Sequence, residues 1–421
     1  MRTFRTTRAI VSAVLIATTV AFSARADDRA LDAYVRDVLT RSPSLRARAS
    51  TYTAYREDAI ATGKWPDPSV AVMVDRIPER MGGDMPMLRY QVSQMVPWPG
   101  KLGLMRSAAE RQGDAAAADV DVRRLDLRLQ AKRGWYMLLL NSKRREVNRA
   151  ARNLAATIAA ASLGRYGSGV GGHHEVARAQ VEVSALDVQL IDLEGERASV
   201  VAMLNALRDQ PLDTAVGEPS GDPSPPMELA AVALVDRAIS LRPELRGMRA
   251  MEAEATAMAS LARREVYPDL MGSVWVNQMI GSTGVGPTVG VMVGGTIPVF
   301  GVSRQSHRAA AFDARAQAAT NEQAAMRAMV RYEVSDALIR VQTTTRQLDL
   351  VRTVALPRAR ESFEASLAGF GAGTVDVIGV LDARRALQSA HLVAAEAQVA
   401  REVALADLER AVGGPIPGAG T

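Results

Sequence analysis

Two of the chain's four histidines stand side by side in R-Y-G-S-G-V-G-G-H-H-E-V, residues 165–176, with Glu175 beside them and a run of glycines just before. Such a stretch could be a metal site, a phosphate-cradling loop or a turn. A phosphate loop needs a preceding strand and a Gly-Lys-Ser/Thr opening to its helix, and neither is present here. His173 and His174 are adjacent, and adjacent helical residues point ~100° apart, so one chain is poorly placed to chelate one ion with both. A site drawn from several chains around an axis stays open. Met81, Met85 and Met87 could handle soft metals or serve as adaptable loop contacts. His307 and His391 stand singly in helical runs. With no cysteine and four scattered histidines, no convergent acid, base and nucleophile set emerges. The sequence therefore points away from an enzyme and names no cofactor.

Composition bounds what must position these residues. Arg2, Arg5 and Arg8 precede an apolar run from Ala9 to Ala24, and Ala24-Arg25-Ala26 gives a small-x-small cleavage pattern. Residues 1–26 therefore read as a signal peptide. Removing its four arginines leaves 47 bases against 46 acids, so the formal charge of +5 belongs largely to the leader, and nucleic-acid binding loses its support. Aromatic content is 4%, and the abundance of alanine, arginine, leucine and glutamate favours long helices.

The chain is written twice. L-T-R-S-P-S-L-R (39–46) is echoed by I-S-L-R-P-E-L-R (239–246), and W-P-D (65–67) by Y-P-D (267–269). M-V-P-W-P-G (95–100) pairs with T-I-P-V-F-G (296–301), and Y-G-S-G (166–169) with F-G-A-G (370–373). Four echoes in one order at nearly constant spacing mark an internal duplication. The two copies run 27–208 and 227–414, joined by a proline-rich exposed linker, 209–226, and followed by a disordered tail, 415–421.

Each copy opens with a helix of ~30 residues that ends at W-P-D or Y-P-D. Two alternating segments follow, 69–77 and 88–96 in the first copy, 270–278 and 288–297 in the second. Leu88, Tyr90, Val92 and Val96 share one face while Arg89, Gln91 and Ser93 share the other, a period of two with one apolar and one wet face. These lengths suit either a soluble hairpin or tilted membrane strands. Residues 101–163 then form one helix of ~60 residues, matched by 302–367 with a kink at Pro357. The return helices carry heptads. Val176, Val183, Leu190, Arg197 and Leu204 alternate with Ala179, Leu186, Leu193, Val200 and Leu207, and Arg401 interrupts the second seam where Arg197 interrupts the first. Four strands cannot close a barrel, and a sheet with an apolar face and open edges needs other chains. The economical solution is a homo-oligomer that pools its strands into one barrel and its helices into one tube.

These marks resemble the TolC-type outer-membrane factors. The resemblance rests on the doubled S-P-S-L-R and R-P-E-L-R, on Q-M-V-P-W-P-G-K-L-G, on the Y-G-S-G and F-G-A-G-T turns, and on V-L-D-A-R-R-A-L. It covers essentially the whole chain after the leader, and P-W-P-G-K is similar to the branch serving heavy-metal efflux pumps. It implies a mostly α fold that also contributes to a transmembrane β-barrel: a homotrimer with a 12-stranded β-barrel and a 12-helix α-barrel. It also implies a Gram-negative outer membrane with its lipid, a periplasmic adaptor, and an inner-membrane pump, RND type favoured. The function implied is passive conduction in tripartite efflux or type I secretion, with metal cations among the cargoes. The alternative is a periplasmic coiled-coil adaptor, which normally has one hairpin flanked by all-β domains.

The resemblance also implies a gate at the periplasmic tip. Members closed by two acidic rings carry V-D-V-L-D, and this chain has V-I-G-V-L-D, so Asp382 matches the second acid and Gly379 replaces the first. Asp376 could serve instead, while Glu175 and Arg178 occupy the matching places in copy one. Helix-start residues that favour the helix dipole are the plainer reading of the same acids. The adaptor-docking turns would comprise Gly167, Gly169, Val170 and Gly171, with Gly371, Gly373 and Thr374.

Overall fold

The computed structural model describes residues 29–75, 86–169, 171–219, 230–280, 286–297 and 301–416. Residues 1–28, where a leader is expected, residues 76–85 with Met81 and Met85, Val170, residues 281–285 and part of the expected linker lie outside the described residues. Helix α1 spans 29–41 and α2 Pro43–Thr62, followed by β1 Ser69–Asp75 and β2 Met87–Val96. The long helix α3, Lys101–Gly167, returns as α4, His173–Leu207. The second copy repeats the order: α5 Ala231–Leu241, α6 Pro243–Arg264, β3 Leu270–Met279, β4 Thr288–Gly295, α7 Gly301–Leu350, a π-helical turn Val351–Ala355, α8 Leu356–Gly371 and α9 Val377–Val412.

The chain divides into two compact units. One holds residues 47–121 and 243–327, which include the sheet. The four strands pair antiparallel in the order β1-β2-β3-β4. Val92 stands between Val70 and Val274, and Tyr90 between Val72 and Val276, so the apolar side chains form rows on one face. Arg89 stands between Met73 and Asn277 on the other, where its Nε donates to Asn277 Oδ1 at 2.9 Å and its guanidinium lies over the Trp275 ring. The apolar face is uncovered: Val70 is 73% and Val293 80% exposed. At the strand–helix junction, Asp269 of Y-P-D accepts from the Trp98 amide and from Lys101 Nζ, both at 2.8 Å.

The other unit holds residues 122–242 and 328–416 with the first helix. No described helix is long and apolar enough to cross a membrane. The α4 seam is buried at Val176, Ala179, Leu186 and Leu204. Arg197 interrupts that seam where Glu218 meets it, at 2.8 Å. Arg401 is buried against Glu402 at 3.1 Å and Thr345 at 3.2 Å.

Four expectations need correction. Each copy opens with two helices, not one, because Pro43 and Pro243 each occupy the first position of a new helix, where the missing N–H costs nothing. The irregularity expected at Pro357 lies just before it, as the π turn 351–355, which absorbs the lost hydrogen bond and the bulk of the ring. The described part of the linker is anchored: Val216 is buried, and Glu218 accepts from Ser142, Arg145 and Arg197. Chain packing also continues past residue 414, since Ile416 is buried and the Pro415 carbonyl accepts from Arg237.

Candidate functional site

The described residues expected at a gate or a docking tip lie at or just beyond two helix-to-helix turns, one per copy, whereas Met87 begins β2, His307 lies in α7 and His391 lies far along α9. In the first, α3 ends at Gly167, and the Gly169 amide donates to the Tyr166 carbonyl at 3.0 Å. Gly169 and Gly171 hold φ of +79° and +104°, a left-handed region that a side chain would strain. Gly172 precedes α4 with no side-chain cap, and Glu175 lies in the first turn, where its charge complements the helix dipole. Its carboxylate reaches back toward Gly171, 3.0 Å from where a Cβ would stand.

The second turn is built differently. Gly371 ends α8 and Gly373 turns the chain at φ +77°. The Thr374 amide and hydroxyl both donate to the Gly369 carbonyl, at 2.9 and 3.1 Å. Asp376 caps α9, its Oδ1 accepting the Gly379 amide at 2.8 Å. Asp376 is thus engaged as a helix cap, and Gly379 supplies the backbone donor.

The turns are tied together. Arg165 donates from Nη1 to the Phe370 carbonyl at 2.9 Å and lays its guanidinium over the Phe370 ring. Beneath them Ile158, Ala179, Phe363, Phe370, Val377, Val380 and Leu381 form one buried cluster drawn from α3, α4, α8 and α9. His173 meets Tyr166 edge-on, with ring centroids 5.7 Å apart, and His174 folds over Gly172. Among the described residues, no three His, Cys, Asp or Glu side chains gather as a metal site.

Just behind the turns lies a charged cluster that the sequence reading did not assemble. Glu182 of α4 accepts from Arg384 and Arg385 of α9. Arg384 is 1% exposed, and its Nη1 also donates to Gln388 at 2.9 Å. Arg385 reaches Asp382 at 3.3 Å, leaving Asp382 on the open side of the cluster. The hydrogen bond from Arg385 holds the Glu182 carboxyl below its usual value against the opposing effect of burial; the charges of Arg384, Arg385 and Arg178 add to it. Burial, in turn, pulls the Arg384 guanidinium down. Of the residues expected at a gate, the structure brings Asp382 into this cluster and sets Arg178 within electrostatic reach of it. Glu175 and Asp376 stay at their own helix starts.

A signal for Glu182 and Arg384 was present. In the heptads counted from Val176 and Val380, Glu182 is a g position and Arg384 an e position, the flanks where coiled coils place interhelical ion pairs. Comparing the copies could not reveal them, because Ala386 and Gln180 stand at the matching places.

Residues 234–414 match the family model described as Outer membrane efflux protein. The chain is 24% identical over 297 residues to the cobalt-zinc-cadmium resistance protein CzcC of Cupriavidus metallidurans, covering 70% of this chain and 69% of that protein. Its fold is similar to that of CusC, a protein described in terms of transmembrane channel formation, with a TM-score of 0.78, 16% identity and 92% of each chain covered. It is also similar to the outer membrane protein VceC of Vibrio cholerae, with a TM-score of 0.75, 18% identity, and 91% of this chain and 96% of that one covered.

Proposed function

We propose that this chain is an outer membrane efflux protein that works as a trimeric channel fed by an inner-membrane pump through a periplasmic adaptor, a reading that the family match and the fold support. One observation carries the reading: a four-stranded sheet with its apolar face uncovered and β1 and β4 at its edges. Alone, such a sheet would expose both apolar surface and unpaired backbone. Three copies supply twelve strands, enough to close a barrel whose valine rows face lipid and whose Arg89, Gln91 and Ser93 rows line a wet lumen. Helix α4 supports the same reading, since Val181, Val188 and Ile191 form a second, exposed stripe apart from its buried seam. A neighbouring copy is the natural cover.

The channel catalyses nothing. Cargo moves passively, and the pump supplies the energy. The Glu182–Arg384 pair acts as the latch: it binds α4 to α9 behind the turns, so the helices cannot separate there without breaking the ion pair that neutralises a buried guanidinium. Asp382, Glu175 and Arg178 would flank the entrance around the three-fold axis, where repeated acids favour cations. The similarity to CzcC favours divalent metal cations as cargo. Planar-bilayer recordings of the purified protein test the channel, and metal sensitivity of a deletion strain tests the cargo. A water-soluble monomer without conductance would overturn the first, and unchanged tolerance of cobalt, zinc and cadmium the second.

A further inference from the structure

In the unit that holds the sheet, the apolar face gives way at the strand–helix junction to a collar of aromatic and basic side chains. Four chain segments build it. Gln94 donates to the Pro66 carbonyl at 2.8 Å, fixing the end of β2 beside Trp65. Trp98 stacks on Tyr267 with ring centroids 5.2 Å apart and planes within 10°. Arg264 donates to the Pro99 carbonyl at 3.3 Å, and Lys101 to the Tyr267 carbonyl at 2.8 Å. Arg308 pairs with Glu265 at 2.8 Å, and Arg304 stands one turn before it in α7.

Two properties of this collar need a partner. Trp65 is 61% exposed and Tyr267 50%, and they precede the starts of β1 and β3 by four and three residues. Among the described residues, Lys64, Arg264 and Arg304 have no carboxylate partner, whereas Lys101, Arg263 and Arg308 each do. Amphipathic rings beside unneutralised cations match a membrane–water interface, where indole and phenol sit at headgroup depth and Lys or Arg meets phosphate. We infer that this collar binds the phosphate headgroups of anionic phospholipids in the periplasmic leaflet, with Trp65 and Tyr267 setting depth and Lys64, Arg264 and Arg304 providing the charge. This rests on the outer-membrane reading above and goes beyond it by naming the leaflet, the headgroup class and the residues.

The test reconstitutes the full-length mature protein into vesicles of phosphatidylcholine alone or mixed with phosphatidylglycerol. Native mass spectrometry then reads the lipids retained per assembly. Wild type should retain phosphatidylglycerol preferentially, with each cation contributing about fivefold at low salt. That preference should fade as ionic strength rises. The K64Q/R264Q/R304Q variant should lose the preference, and the K64Q/R304Q variant, which spares the Arg264–Pro99 bond, should lose most of it. Trp65→Ala should weaken retention of both lipids alike. Phosphatidylglycerol held equally by wild type and both charge variants would overturn the inference. Failure of the wild type to enter vesicles of either composition would instead refute the outer-membrane reading.

Discussion

Replacing Glu182 with glutamine removes one negative charge and almost no volume. Its consequence follows from where the partners lie. Arg385 and Asp382 have roughly half-exposed or more exposed side chains, so their pair contributes little. Arg384 is the partner that matters, since its side chain is 1% exposed and Glu182 provides its ion pair. Breaking a buried pair by removing one member costs about 3–5 kcal/mol, because the remaining charge stays out of water. Glutamine still offers a carbonyl, and Gln388 keeps its own bond to Arg384, so the lower end, about 3 kcal/mol, applies. At 1.4 kcal/mol per factor of ten, the ratio of latched to unlatched protomers should fall about 100-fold in Glu182→Gln.

Single-channel recording in planar bilayers reads that ratio as open probability. A Glu182→Leu/Arg384→Leu double variant provides the control, since a buried ion pair exchanged for apolar side chains is often neutral or stabilising. It should recover most of the closed population, which makes the cycle strongly non-additive. Glu182→Gln channels that remain trimeric, melt at the wild-type temperature and open no more often would refute the latch.

Acidity should act on the same carboxylate, which the hydrogen bond from Arg385 chiefly holds down. A carboxyl held below its usual value stabilises the latched form at all pH values above the ordinary glutamate range, near 4.3, and that contribution is lost as pH falls through the depressed value. Open probability should therefore be flat from pH 7 to about 5 and rise only in stronger acid; a step near pH 6 would point to a different group. Burial pushes His391 down, with Arg360 adding to the effect, so His391 itself should add no step near neutrality. Gly373→Ala should lower the melting temperature, since a left-handed residue with a Cβ costs about 1 kcal/mol, whereas Gly371→Ala has open space and should not. Asp376→Ala should cost about 1 kcal/mol through loss of the cap. Asp376→Asn should melt and conduct like wild type, and altered conductance in that variant would assign the carboxylate to the gate.

What could be read from the sequence was what repeats or alternates. The strands were legible because each has one buried-type face and one wet face, and α3 because no proline interrupts it from Lys101 to Gly167. The breaks at Pro43 and Pro243 were not, since proline at a first helical position leaves the flanking helical pattern intact. Glu218 was hidden by its setting: an acid among prolines looks like linker until Arg145 and Arg197 are seen against it. The turns were legible as turns from their glycines. Their different capping was not, because it depends on which side chain folds back.

The turns also differ in ways that bear on how the proposed channel would open. The copies share element order, but the second turn is capped by Asp376 and braced by Thr374, while the first has an uncapped Gly172 and two left-handed glycines. Among the described residues, the two starts therefore differ in how much local hydrogen bonding resists their movement, and α4 begins with less of it than α9. The latch joins these unequal partners, with its acid on α4 and its bases on α9. If Glu182 lets go, the less tethered start of α4 should shift first while α9 keeps its cap. Amide hydrogen exchange should then show faster exchange over the first turns of α4 than of α9 in Glu182→Gln. Equal acceleration in both helices would contradict that order.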